Sequence, residues 1–71
     1  MMHKRIKKLL IDNDMTQGQL AKKVNTTEAN MSRYCRGERI PNAVMIGKIA
    51  KELHTTTDYL IFGGQDYGKF N

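Results

Sequence analysis

The sequence predicts an all-α domain of five short helices. Apolar residues recur at spacings of three and four in five successive segments, alternation with the period of a strand never persists, and capping or stopping residues bracket each segment. Seventy-one residues make one domain and leave no room for a separate catalytic lobe. A domain this small hides only about 60% of the surface that its unfolded chain exposes, so its few core side chains must be backed by helix caps or by a partner.

The first segment, Met2 to Ile11, aligns Met2, Ile6, Leu9 and Leu10 on one stripe and Arg5, Lys7 and Lys8 on another, until Asp12-Asn13-Asp14 breaks the pattern. Thr16-Gln17-Gly18-Gln19 has the form of a capping box, in which the Thr16 hydroxyl meets the third backbone N–H and Gln19 reaches back to the cap. It opens a second helix with Leu20, Ala21 and Val24 inward and Lys22 and Lys23 outward. Asn25, a residue that tolerates left-handed dihedrals, ends it. After a tight turn, Thr26 or Thr27 caps a third helix through Cys35, with Met31, Tyr34 and Cys35 on one face and Glu28, Ala29, Ser32 and Arg33 on the other.

Arg36-Gly37-Glu38-Arg39 reads as a loop with Gly37 at positive φ, and Pro41-Asn42 as a stop followed by a cap. The fourth helix, to about His54, carries the stripe Val44, Ile46, Ile49, Ala50 and Leu53 and leaves Lys48, Lys51 and Glu52 in solvent. A short fifth helix is capped among Thr55, Thr56 and Thr57, with Asp58 in its first turn where the helix dipole favours it, and continues through Tyr59, Leu60, Ile61 and Phe62 to Gly63-Gly64. The domain is therefore expected over residues 1–62. Residues 63–71 form a polar, glycine-containing tail whose Tyr67 and Phe70 fray unless a partner covers them.

Twelve Lys and Arg against seven Asp and Glu leave a net charge of +5 and a pI near 9.6, a balance that attracts polyanions and puts nucleic acid first among partners. An apolar fraction of 39% with 27% charged residues excludes both a disordered basic tail and a membrane-spanning chain. The lone Cys35 cannot form an internal disulfide, and no Cys and His stand at metal-ligand spacing, so no metal or other cofactor is expected. The basic start is followed by an apolar run far too short for a signal peptide, which reads as a cytoplasmic protein. No activated serine, cysteine or carboxylate pair is visible, so an enzyme is not expected.

A short capped helix, a turn, and a second helix with a polar outer face make the helix-turn-helix geometry, in which one helix enters a major groove and the other braces on the backbone. Ala21 permits the close approach of the two helices, and Leu20, Val24, Met31 and Tyr34 supply the apolar contacts between them. The stretch Thr16-Gln17-Gly18-Gln19-Leu20-Ala21 through Arg36-Gly37, then Pro41 and Ile49-Ala50-Lys51-Glu52-Leu53, resembles the phage-repressor-like, Xre-type family of helix-turn-helix transcriptional regulators. The resemblance covers roughly residues 5–62. It implies a five-helix, lambda-repressor-like domain that binds double-stranded operator DNA, usually as a two-fold homodimer, with the third helix as reader.

In that pattern Gln17 opens helix two against a phosphate, Thr27 opens the reader, and Glu28, Ala29, Ser32 and Arg33 look at base edges. Asn25 stands where the family often has glycine. Cys35 and Leu10 stand where it often has an acidic residue and an arginine that pair, and replacing both members by apolar groups is compatible with the same fold. Chemically, Arg33 suits bidentate bonding to guanine or a phosphate clamp; Glu28 suits a cytosine amino group or the helix dipole; Ala29 suits a thymine methyl. Asn30 and Ser32 suit base or backbone. Gln17, Thr27, Asn30, Arg36, Arg39 and Asn42 are candidates for the sugar-phosphate backbone. Cys35 reads as a small buried hydrophobe behind the reader.

Ile61 and Phe62 exceed what helix five needs for its own packing and are the candidate dimer surface. The leading function is a sequence-specific transcriptional regulator, a repressor, bound to a palindromic operator. Its alternatives are the DNA-binding antitoxin of a toxin-antitoxin pair and a protein adaptor on the same scaffold.

Overall fold

The computed structural model describes residues 1–63; the calls on Gly64, Tyr67 and Phe70 lie outside the described residues. The element order is α1 (Met2–Asp12), α2 (Gln17–Lys23), α3 (Glu28–Arg36), α4 (Ala43–Glu52) and α5 (Thr57–Phe62). The architecture is all-α, as the periodicity predicts. α3 packs on α2 and α1, α5 closes against α1 and α4, and α4 also meets α2, so α3 is held from behind by two helices and its far side stays in solvent.

The core is one cluster, with Ile6, Leu20, Met31, Cys35, Ile49 and Leu60 entirely buried at its centre. Leu10 and Cys35, the apolar pair at the place of the family's ion pair, are both buried in it. Met15 and Met45 pack at its edge. Val44 departs from the expected inward stripe and is 69% exposed. α4 starts at Ala43, and Val44 then points about 200° around the helix from Ile46, away from the face that Ile46, Ile49, Ala50 and Leu53 bury.

Side chains begin α2 to α5 in one way. Thr16, Thr27, Asn42 and Thr56 each accept the backbone N–H of the third helical residue. Thr16 and Gln19 complete the reciprocal capping box, with Gln19 Oε1 accepting Thr16 N–H at 2.9 Å. The sequence left the cap of α3 open between two threonines, and it is Thr27.

The ends of α1 to α4 also share one solution. Asp14, Asn25, Gly37 and His54 take positive φ, and at each of them one N–H reaches back three residues while the next reaches back five. At α2 these bonds are Asn25 N–H to Lys22 O at 3.2 Å and Thr26 N–H to Ala21 O at 2.9 Å. Beyond Asp14, Asn13 Nδ2 donates to Leu9 O at 2.8 Å and to Leu53 O at 3.3 Å, joining the ends of α1 and α4.

Arg5 corrects the outward placement that its stripe suggested. Its Nε donates to Leu60 O and its Nη2 to Ile61 O, both at 3.0 Å, so a side chain of α1 satisfies the last carbonyls of α5. α5 has only six residues and no basic residue in its last turn. The cation it needs comes from the other end of the chain.

A left-handed β-carbon strains the backbone, and glycine relieves that strain. His54 has φ 57° and an exposed side chain. His54→Gly should therefore raise stability by about 1 kcal/mol, seen as a rise of roughly 4–8 °C in thermal denaturation. The same change at Asn25 should gain less, and a fall at position 54 would show that the imidazole makes a contact that offsets the strain.

Candidate nucleic-acid interface

The site is built on the turn between α2 and α3. Asn25 at φ 62° reverses the chain within a few residues, and Ala21 and Val24, both buried, let the two helices close on Leu20 and Met31. Tyr34 adds its ring to this contact and is 7% exposed. A residue larger than alanine at position 21 would push α3 off its support.

Glu28, Ala29 and Arg33 are exposed on the outer face of α3, and Ser32 is half-buried beside them. Arg33 makes no hydrogen bond among the described residues, and its charge stands near enough to Glu38 to help hold that carboxyl down. Glu28 turns back towards α2, where its carboxyl carbon stands 3.3 Å from the place a β-carbon would take on Gly18. Gly18 thus makes room for this carboxylate over the first turn of α2.

Arg36 is engaged twice. Its Nε and Nη2 hold the two oxygens of Glu38 at 2.8 and 3.1 Å, and its Nη1 donates to Ser32 Oγ at 2.6 Å. The hydrogen bond from Arg36, helped by its charge, draws the Glu38 carboxyl below the ordinary carboxylate range and raises Arg36 in turn. Ser32 therefore meets the outside with an oxygen already accepting one bond.

Arg39 is tied as well. Its Nη1 donates to Asn30 Oδ1 at 3.3 Å, and Asn30 Nδ2 donates to Thr26 Oγ1 at 2.9 Å and to Tyr34 Oη at 3.0 Å. The structure thus brings together Thr27, Asn30, Arg33, Arg39 and Asn42 around one polar cleft of about 510 Å³ between the start of α3 and the loop to α4. Gln17, in the first turn of α2, and Arg36 lie outside that cleft; the Gln17 amide makes no hydrogen bond among the described residues. Ile61 and Phe62 are 42% and 64% exposed at the end of α5.

Sequence reasoning missed Tyr34 and Thr26 as polar members of this site, and Glu38 as the partner of Arg36. The signals were available. Asn30 stands four residues from both Thr26 and Tyr34, the spacing at which side chains meet along a helix, and Glu38 lies two residues past Arg36 across the Gly37 turn.

Comparison with known proteins places this geometry. Residues 6–60 match the helix-turn-helix family model, nearly the entire described fold. The chain belongs to the helix-turn-helix family, of phage-repressor type. The P22 c2 repressor protein, solved with synthetic operator 9T in the presence of Tl+, is similar at a TM-score of 0.85 and 28% identity, over 89% of this chain and 96% of that one. The SinR protein in its complex with SinI protein shares the fold at a TM-score of 0.79 and 18% identity, over 94% of this chain and 66% of that one. No curated protein matches the chain at the sequence level. Among the described residues no helix is long and apolar enough to cross a membrane, and no group of three or more His, Cys, Asp or Glu could hold a metal ion.

Cys35 lies on the back of α3, fully buried. Burial pushes its thiol up from the ordinary range, opposed by the charge of Lys7. Alkylation of the native protein by iodoacetamide should accordingly be slower than that of the unfolded chain by about 100-fold or more, because reaction must await opening of the core. Rapid native-state modification would place the thiol at the surface.

Proposed function

We propose that this protein is a sequence-specific, double-stranded-DNA-binding transcriptional regulator, a repressor, acting in the cytoplasm as a homodimer with α3 in the major groove. The observation that carries this reading is the outer face of α3, where Glu28, Ala29 and Arg33 stand exposed on a helix fixed from behind by α1 and α2. Its support is the net charge of +5 and the likeness to a repressor solved with operator DNA.

Arg33, exposed and in the middle of the helix, bonds a guanine edge in the bidentate manner, worth about 1–3 kcal/mol of discrimination. Ala29 meets a thymine methyl, and Glu28 and Ser32 complete the reading face. Gln17, Thr27, Arg39 and Asn42 fix the register on the backbone, with Asn30 acting through its hold on Arg39. Arg36 joins them by exchanging Glu38 for a phosphate.

Selection from a randomised duplex pool by the wild type and by Arg33→Ala, at about 0.15 M salt, tests the reading. The wild type should enrich a palindrome, and the variant should blur it at one symmetric pair of positions. Failure of a folded wild type to enrich any sequence would refute specific binding.

The exposed Ile61 and Phe62 form the two-fold contact, which sets the two reading helices about 34 Å apart, one turn of the duplex. Phe62→Ser should weaken binding to the full palindrome more than to an isolated half-site. Equal losses on both DNAs would remove α5 from the dimer contact.

A further inference from the structure

A groove of about 260 Å³ opens between the start of α1, the loop from α3 to α4 and the end of α5. Met2, Ile6 and Pro41 form its inner wall, and Met1, Ile40 and Ile61 stand at its lip. Met1 and Ile40 are 72% and 78% exposed. The fold thus gathers apolar side chains from three parts of the chain without covering them. The charged side chains on the lining are Arg5 and Arg39, it also holds His3, and no carboxylate stands among them.

The chain itself leads away from this groove. Ile61 lines it, and two residues later Gly63, at φ 71°, lies against Arg5: the place of a β-carbon there is 3.1 Å from Arg5 Nη1. Arg5 uses Nε and Nη2 on the carbonyls of Leu60 and Ile61, which leaves the N–H groups of Nη1 for another acceptor. Asp66 comes three residues after Gly63, and Tyr67 follows it. Four residues of extended chain span about 13 Å, which suffices to carry Tyr67 back over Ile61.

We propose that the segment after α5 folds back on its own domain, with the Tyr67 ring in this groove and the Asp66 carboxylate on Arg5 Nη1. An apolar cavity of about 150 Å³ holds a benzene ring, so the groove admits one aromatic side chain and not two. Its apolar walls and basic rim suit a ring that carries a hydroxyl. Asp66 brings the negative charge that the lining lacks. The occupant is this chain's own segment because so short a tether holds the ring at about millimolar effective concentration, which a free partner matches only when abundant. Phe62 is not on the lining, so a seated Tyr67 leaves it to the two-fold contact proposed above. Arg39 lines both this groove and the polar cleft, and the seat therefore braces the loop that carries Arg39. It needs no DNA and stands apart from the regulator reading.

Methyl NMR on the full chain, with isoleucine labelled, tests the seat. Cross-relaxation should connect the Tyr67 ring to the δ1 methyls of Ile40 and Ile61. Tyr67→Ser should remove those cross-peaks and shift both methyls, while Ile49 in the core and Ile11 at the other end of α1 stay in place. Asp66→Asn should move the same two methyls part of the way to their Tyr67→Ser positions. Chymotrypsin should cut after Tyr67 about fivefold faster in Ile40→Ser, an exposed change that leaves the fold intact, than in the wild type. An unchanged cleavage rate, or a folded wild type with no cross-peak from Tyr67 to either methyl, would overturn the seat. So would contacts from Phe70 in its place. In a mixture of labelled and unlabelled chains, cross-peaks between the two would give the groove to a second copy and overturn the intramolecular seat.

Discussion

The placing of α3 depends on one backbone reversal, the left-handed Asn25 between α2 and α3. With φ at 62°, the chain turns sharply enough for Ala21 to lie against α3 and for the Thr26 N–H to close the end of α2 on Ala21 O. Thr26 then has a second duty, since its hydroxyl accepts from Asn30, whose carbonyl oxygen receives Arg39. The turn, α3 and the following loop are thereby wired through one amide. A more extended residue at position 25 would disturb more than an angle between helices: it would misplace the acceptor that orients Asn30, and with it a cation well along the chain.

The rest of the domain supplies stiffness that its small core cannot. Each helix from α2 to α5 opens on a side-chain cap, and caps of this kind contribute about 1 kcal/mol each. The first four helices close on left-handed residues, and only Gly37 among those four is glycine. At Gly37 a β-carbon would also meet the His3 ring at 2.9 Å, so strain and crowding both select glycine there. Elsewhere Asp14, Asn25 and His54 tolerate the strain. Arg5 locks the shortest helix to the first one, which couples the exposed end of α5 to the frame that carries α3.

The helices were legible because their signals are local. A capping box, threonine caps, a Pro-Asn stop and stripes of Ile and Leu act within one or two turns, and the five predicted segments agree with the five observed. Arg5 was not legible, because its acceptors lie 55 and 56 residues away and nothing in the neighbourhood of Arg5 announces them. Val44 was misread for another reason: at a helix start, one apolar residue off the stripe is indistinguishable from one on it until the packing angle of the helix is known. On α3, sequence separated an inner face from an outer one. It did not show which polar groups are engaged internally, since that depends on the fold of the loop that brings Glu38 and Arg39 back beside it.

That engagement decides how the positive charge of the chain acts. At physiological salt the Debye length is about 8 Å, so most of the net charge of +5 serves encounter with a polyanion and does little to orient it. Orientation needs donors at fixed places. Arg36 is held by Glu38 in an exposed pair, and such pairs contribute little to stability. Losing Glu38 would therefore cost the fold little, and the bidentate fork that grips this carboxylate has the geometry to grip another anion. Arg39 is held by a neutral amide, so its charge has no counter-ion in that contact. Two arginines three residues apart thus present different chemistry: Arg36 is held by a carboxylate, and Arg39 by a neutral amide.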